Sequence, residues 1–171
     1  MRTKAAVLYE PGSKFVIDEL KLDGPQAGEL LVKIEATGVC HSDWHVVTGD
    51  SSHPMPVVLG HEGAGTVVEV GPSTTGLEAG DKLTLNWATA CGNCYYCNIG
   101  RPCLCEAMFT TNKAGLMPDG TNRLSLDGQP VRQYCALACF AEYAVVPRGA
   151  CIKMPNGIPF PVMASIGCAV T

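Results

Sequence analysis

The sequence predicts a mainly β domain, a small twisted barrel of antiparallel strands carrying only short helices. Short apolar or alternating runs recur along the chain, and nineteen glycines and twelve prolines supply a turn between each pair. The one long stretch without such periodicity opens on a dense set of cysteines, which predicts a lobe held by metal instead of by a core. At 171 residues, 47% of them hydrophobic, the chain is long enough for one domain, taken as 1–171, with its own interior.

The expected strands come in order at residues 5–8, 15–17, 30–34, 66–70, 82–85, 144–146 and 151–153. Helix is expected only at 42–47 and in the last ten residues. Residues 98–135 contain Pro102, Gly115, Pro118, Gly120 and Gly128 and read as an irregular functional loop or lobe. Gly63-Ala64-Gly65-Thr66-Val67-Val68 begins like a dinucleotide fingerprint. Its sixth position is valine and a β-branched run follows where a helix is required, so it reads as a strand entry.

Composition narrows the function. A formal charge of −4 gives no basic footprint, so no nucleic-acid partner is expected. No apolar run reaches the roughly 18 residues that cross a bilayer, so no membrane role is expected. The start, Met1-Arg2-Thr3-Lys4, leads into a short apolar stretch broken by Glu10 and Pro11, unlike an export signal, and the expectation is a cytoplasmic protein. In that setting ten cysteines point to metal or redox chemistry before disulfides.

Cys91-x2-Cys94-x2-Cys97-x7-Cys105 sets four thiolates on tight turns. Zinc takes four such ligands in a tetrahedron at about 2.3 Å, and a closed shell leaves no position for chemistry, so a structural site is expected at 91–105. Disulfides and an iron–sulfur cluster are the alternatives, the latter disfavoured because the bacterial spacing ends x3-Cys-Pro. Spacing alone leaves Cys105 and Cys103 in competition for the fourth place. The binding free energy, on the order of 10–16 kcal/mol in zinc-finger peptides, would stand in for a core.

A second constellation follows the third strand. Gly38-Val39-Cys40-His41-Ser42-Asp43-Trp44-His45 precedes Gly60-His61-Glu62-Gly63 by about twenty residues. Cys40 and His61, with one more cysteine, would form the open three-ligand zinc site used for alcohol oxidation. Asp43 and Glu62 would stand behind the ligands and tune the metal's charge. Ser42 could accept a proton from an alcohol and pass it toward His45. Spacing leaves the third ligand open among Cys135, Cys139, Cys151 and Cys168.

With these motifs in this order, the chain resembles the medium-chain, zinc-dependent alcohol dehydrogenases over essentially all its residues. The resemblance extends to Gly167-Cys168. It implies a GroES-like β-barrel with a protruding zinc lobe and two zinc ions per chain. Cys40, His61 and Cys168 would hold the catalytic ion; Cys91, Cys94, Cys97 and Cys105 would hold the structural one. It implies a proton relay from Ser42 through a cofactor ribose to His45, with His41 against the cofactor pyrophosphate. Asp43 matches the partner of the ligand histidine, and Glu62 the acid behind the zinc. Trp87, Tyr134 and Cys135 fall where the family lines its substrate pocket, and Cys103 is left without a role. The implied reaction oxidises an alcohol to an aldehyde or ketone with NAD or NADP, in an enzyme expected to form homo-oligomers. Family members continue into a Rossmann domain that this sequence lacks, so the expectation is a truncated catalytic domain that binds zinc without turning over. The rival expectations are a free-standing zinc-binding scaffold on the same barrel and, more weakly, a zinc-free reductase.

Overall fold

The computed structural model describes residues 1–170. Its strands are β1 (Arg2–Leu8), β2 (Val16–Leu22), β3 (Glu29–Thr37), β4 (Val57–Val58) and β5 (Gly63–Val70), followed by β6 (Lys82–Leu85), β7 (Leu124–Leu126), β8 (Gln129–Gln133), β9 (Tyr143–Pro147) and β10 (Cys151–Lys153). Four α-helices intervene: α1 (His41–Thr48), α2 (Tyr95–Asn98), α3 (Glu106–Ala114) and α4 (Phe160–Ser165). All seven expected strands are present, several of them longer than their apolar centres.

The strands form two sheets. One closes into a barrel in the order β1-β2-β7-β8-β4; the other runs β10-β6-β5-β3-β9. The pairings are antiparallel except β4 with β8, which is parallel, a departure from the all-antiparallel barrel expected. β3 and β9 are the wall between two cores. Leu31 and Val145 point to the cluster around Val7, Leu22, Val58 and Val131, whereas Leu30, Val32, Ala144 and Val146 point to the cluster around Val67, Leu83 and Leu85. Adjacent strand residues face opposite sides, so a run apolar on both faces is what a shared wall requires.

The 98–135 stretch corrects the irregular-loop expectation. It holds α3, β7 and β8, and Met117, Leu124 and Val131 are buried in the barrel core. β7 and β8 are short and joined by Asp127-Gly128 with both residues at positive φ, a tight hairpin whose strands are too brief for a periodic signal. The helical expectation for the C-terminal residues holds for α4 and for the π-helical turn Ile166–Val170; Thr171 lies outside the described residues. Gly63-Ala64-Gly65 opens β5, as the strand-entry reading requires. Among the described residues no helix is long and apolar enough to cross a membrane.

Candidate functional site

The site is built around α1. Cys40 is its N-cap, and the Asp43 carboxylate accepts the Cys40 backbone N–H at 3.1 Å, a capping interaction that fixes the first turn. The same carboxylate accepts the Gly60 N–H at 3.0 Å and faces His61 Nδ1 at 3.3 Å. Asp43 is buried, so these contacts are what makes its charge tolerable there. They also tie the β3–α1 turn to the Gly60-His61 segment. With Nδ1–H donating to Asp43, Nε2 of His61 is the lone-pair nitrogen and faces the cysteines.

Cys40 Sγ, His61 Nε2, Cys168 Sγ and a Glu62 carboxylate oxygen lie within 4.8 Å of one another. The Cys40–Cys168 sulfur separation is 4.0 Å and Cys168 Sγ lies 3.5 Å from His61 Nε2. A zinc tetrahedron with ordinary bond lengths has S–S edges of about 3.8 Å and S–N edges of about 3.6 Å, so these three donors fit that ion in kind and spacing. The electrostatics ask for a cation. Burial, the Cys40 charge and the Glu62 carboxylate hold Cys168 up at about 12. For Cys40, burial is outweighed by hydrogen bonds from Ser42 and by His61, and its pKa is lowered. Burial works against a charged His61, but Asp43 and Cys40 outweigh it and its pKa is raised. Opposite shifts on two thiols this close reflect the mutual repulsion of thiolates, which a bound cation would relieve.

Cys168 reaches the others through Gly167. A Cβ at that position would collide with the Leu85 carbonyl oxygen at the end of β6, so only glycine lets the π-helical turn lie against the strand. Of the other cysteines left open by spacing, Cys139 and Cys151 are buried in the second core. Cys135 lines the neighbouring pocket.

That pocket, about 420 Å³, is lined by His61, Cys168, Ser42, Trp87, Tyr134 and Cys135, joined by Ser51, Ser52, His53, Phe109, Asn112 and Lys113. The first set contains every pocket residue named from the sequence. The second was missed, because α3 and the 51–53 turn carry no motif, and only folding brings them across from Trp87. Cys135, Ala136 and Ala138 all sit at positive φ near +55°, a left-handed backbone unusual without glycine. This strained turn presents Tyr134 edge-on to His61, with ring centroids 5.5 Å apart. Ser42 Oγ lies 3.7 Å from Cys40 Sγ. His41 and His45 do not line the pocket; they pair on the exposed face of α1 with centroids 4.5 Å apart.

The second cluster is the lobe. Sγ atoms of Cys91, Cys94, Cys97 and Cys105 lie within 4.8 Å of one another, with Cys94–Cys97 at 3.5 Å and Cys91–Cys97 at 4.0 Å. Backbone N–H groups of Cys97 and Glu106 lower Cys94 to about 6, while burial and the neighbouring sulfurs push Cys97 up to about 11. Four sulfurs at tetrahedral spacing suit a closed zinc site. Cys105, in the cluster, is buried and N-caps α3; Cys103 is exposed and outside the cluster.

Residues 26–156 match the family model of the alcohol dehydrogenase GroES-like domain. The chain belongs to that family. Among relatives of this GroES-like domain, S-(hydroxymethyl)glutathione dehydrogenase of Paracoccus denitrificans is 44% identical over 100% of the chain and 46% of the relative. The NDMA-dependent alcohol dehydrogenase of Amycolatopsis methanolica is 41% identical over 99% of the chain and 46% of its own length. In solved structures, the domain superposes on an alcohol dehydrogenase zinc-binding domain protein from Burkholderia ambifaria with a TM-score of 0.93 at 36% identity, covering 99% of this chain and 46% of that one. Benzyl alcohol dehydrogenase from Acinetobacter calcoaceticus gives 0.90 at 34% identity, again over 99% and 46%. The GroES-like chain thus spans about half the length of the relatives it matches.

Proposed function

We propose that this chain is the metal-bearing catalytic domain of a zinc-dependent alcohol dehydrogenase that interconverts an alcohol and its aldehyde or ketone with NAD or NADP. The observation that carries the reading is the Cys40–His61–Cys168 triad, spaced for zinc and opening onto an apolar-walled pocket. Zinc bound there supplies Lewis acidity, lowering the pKa of an alcohol hydroxyl. Asp43 holds His61 in the tautomer that keeps Nε2 free. The Ser42 hydroxyl, at the pocket wall, would accept the substrate proton, and with a nicotinamide cofactor bound His45, one turn further along α1, would be its outward acceptor. Trp87, Tyr134, Cys135 and Phe109 surround the carbon skeleton and exclude water, which favours alcohols with an apolar body. His41 supplies a cation-capable ring for the cofactor pyrophosphate. Cys91, Cys94, Cys97 and Cys105 hold a structural zinc.

Hydride transfer requires a nicotinamide held at near-attack distance from the alcohol carbon. Among the described residues no glycine-fingerprint strand–turn–helix unit occurs to hold one, since the only approximate fingerprint lies in β5. The zinc-loaded chain by itself is therefore expected to be inactive. The test is a dehydrogenase assay on that chain, with and without a separately produced Rossmann-domain fragment from a relative, against His61→Ala. Activity restored by the fragment and lost in His61→Ala supports the reading. A chain that binds two zinc ions yet is never activated would favour the scaffold instead.

A further inference from the structure

The exposed face of α1 carries histidines that the cysteine sites do not use. His41 and His45 stand four residues apart, one helical turn, with ring centroids 4.5 Å apart and planes tilted by 45°. Two histidines at this spacing on one helix face are a recurrent two-point chelate for zinc and similar ions. A metal–imidazole bond is about 2.1 Å, and rings this close meet at a shared ion by side-chain rotation alone. The backbone beneath them is held at both ends. Asp43 caps the first turn, Gly49 closes the last in a left-handed conformation, and Gly12 donates its N–H to the Val47 carbonyl at 2.6 Å. Asp43 and Val46, on the opposite face, are buried.

A second observation points to a ligand. His45 Nδ1 faces the Asp50 carboxylate at 3.5 Å, and that carboxylate is itself oriented by the Thr48 hydroxyl at 2.7 Å. A carboxylate at this distance favours the tautomer with the proton on Nδ1, which leaves Nε2 as the lone-pair nitrogen, the arrangement found behind most metal-bound histidines. The buried metal centre uses it too, through Asp43 and His61. His41 and His45 share no donor with either cysteine cluster.

We propose that His41 and His45 form a third metal site, a two-imidazole chelate for a divalent nickel, copper or zinc ion, with Asp50 orienting His45. Imidazole suits these three metals and not magnesium or calcium, and water completes the coordination shell. Having two protein ligands at the surface, the site is weaker than the cysteine clusters and fills only when metal is in excess. If the relay and pyrophosphate roles given above for these residues hold, its occupancy would also inhibit the enzyme; the binding site itself does not depend on those roles.

The experiment uses the whole chain, loaded with zinc, freed of excess metal and dialysed against micromolar Ni(II), with bound nickel and retained zinc measured together. Wild type should take up about one nickel ion without releasing zinc. His41→Ala and His45→Ala should each abolish that uptake, and Asp50→Asn should weaken it roughly tenfold. All three positions are exposed, so the variants keep the fold, and unchanged circular dichroism verifies this. No nickel uptake by wild type, or equal uptake by the histidine variants, overturns the proposal. A chain that fails to hold zinc in its cysteine clusters counts against the proposed function alone, because histidine-dependent nickel binding is read separately.

Discussion

Asp43 serves as helix cap, strut between two segments and orienting partner of His61, all through one buried carboxylate. Asp43→Ala leaves the Gly60 N–H buried and unpaired and frees the first turn of α1, and is expected to cost about 2–4 kcal/mol in urea unfolding. Asp43→Asn keeps one acceptor and should cost less. A different single-residue requirement acts at Gly167, where any side chain meets the Leu85 carbonyl. Gly167→Ala should push Cys168 away from Cys40 and His61, leaving about one zinc per chain, that of the lobe. Elemental analysis checks this: two zinc ions retained would mean that the turn adjusts and Cys168 needs no glycine before it.

At the scale of elements, the lobe and α3 depend on the same residue. Cys105 closes the four-cysteine cluster and caps α3, and α3 carries Phe109, Asn112 and Lys113 to the pocket. α2 buries no residue and α3 buries only Met108, so a metal held by the four cysteines would take the place of a core there. Cys94→Ser is expected to release residues 89–114 to protease while β7 and β8, anchored by Leu124 and Val131, resist. Cleavage beyond Met117 would show that the lobe and the barrel unfold together. β3 has the opposite character, paired on both edges and packed into a core on each face.

At the scale of the molecule, one buried ion pair ties distant parts of the chain. Arg123 donates from Nε and Nη2 to the two Glu29 oxygens at 2.9 and 2.7 Å, joining the entrance of β3 to the 119–123 turn before β7. Removing one member of such a pair strands the other charge, so Arg123→Ala should cost about 3–5 kcal/mol in urea unfolding. The same guanidinium reaches Asp119. Burial opposes ionisation of Asp119, but hydrogen bonds from Thr121 and Arg123 outweigh it and its pKa is lowered. A carboxyl depressed in the folded state adds stability above its unfolded pKa of about 3.9, and that stability disappears as pH falls through the folded value. Unfolding midpoints should therefore drop more steeply below about pH 4 in wild type than in Asp119→Asn. Equal slopes would exclude this contribution.

The sequence by itself determined the β architecture, a cysteine-rich lobe opening at Cys91, Cys94 and Cys97, and the Cys40 and His61 segments, because each is written in local spacing: alternation for strands, Cys-x2-Cys for the lobe, Gly-His-Glu-Gly for the loop. Family resemblance, not spacing, singled out Cys168 from four candidates; it lies 107 residues from His61 and meets it only through the turn at Gly167. The tertiary structure alone decided the rest. It closed the barrel with β7 and β8, strands of three and five residues that carry too few positions for a period to register. It also brought Phe109, Asn112, Lys113 and His53 into one pocket lining with Trp87, a juxtaposition that depends on where α3 packs. Local chemistry is legible in a sequence because neighbouring residues share one backbone geometry; a pocket wall drawn from seven segments is not, because its members meet only after the long-range pairings have formed.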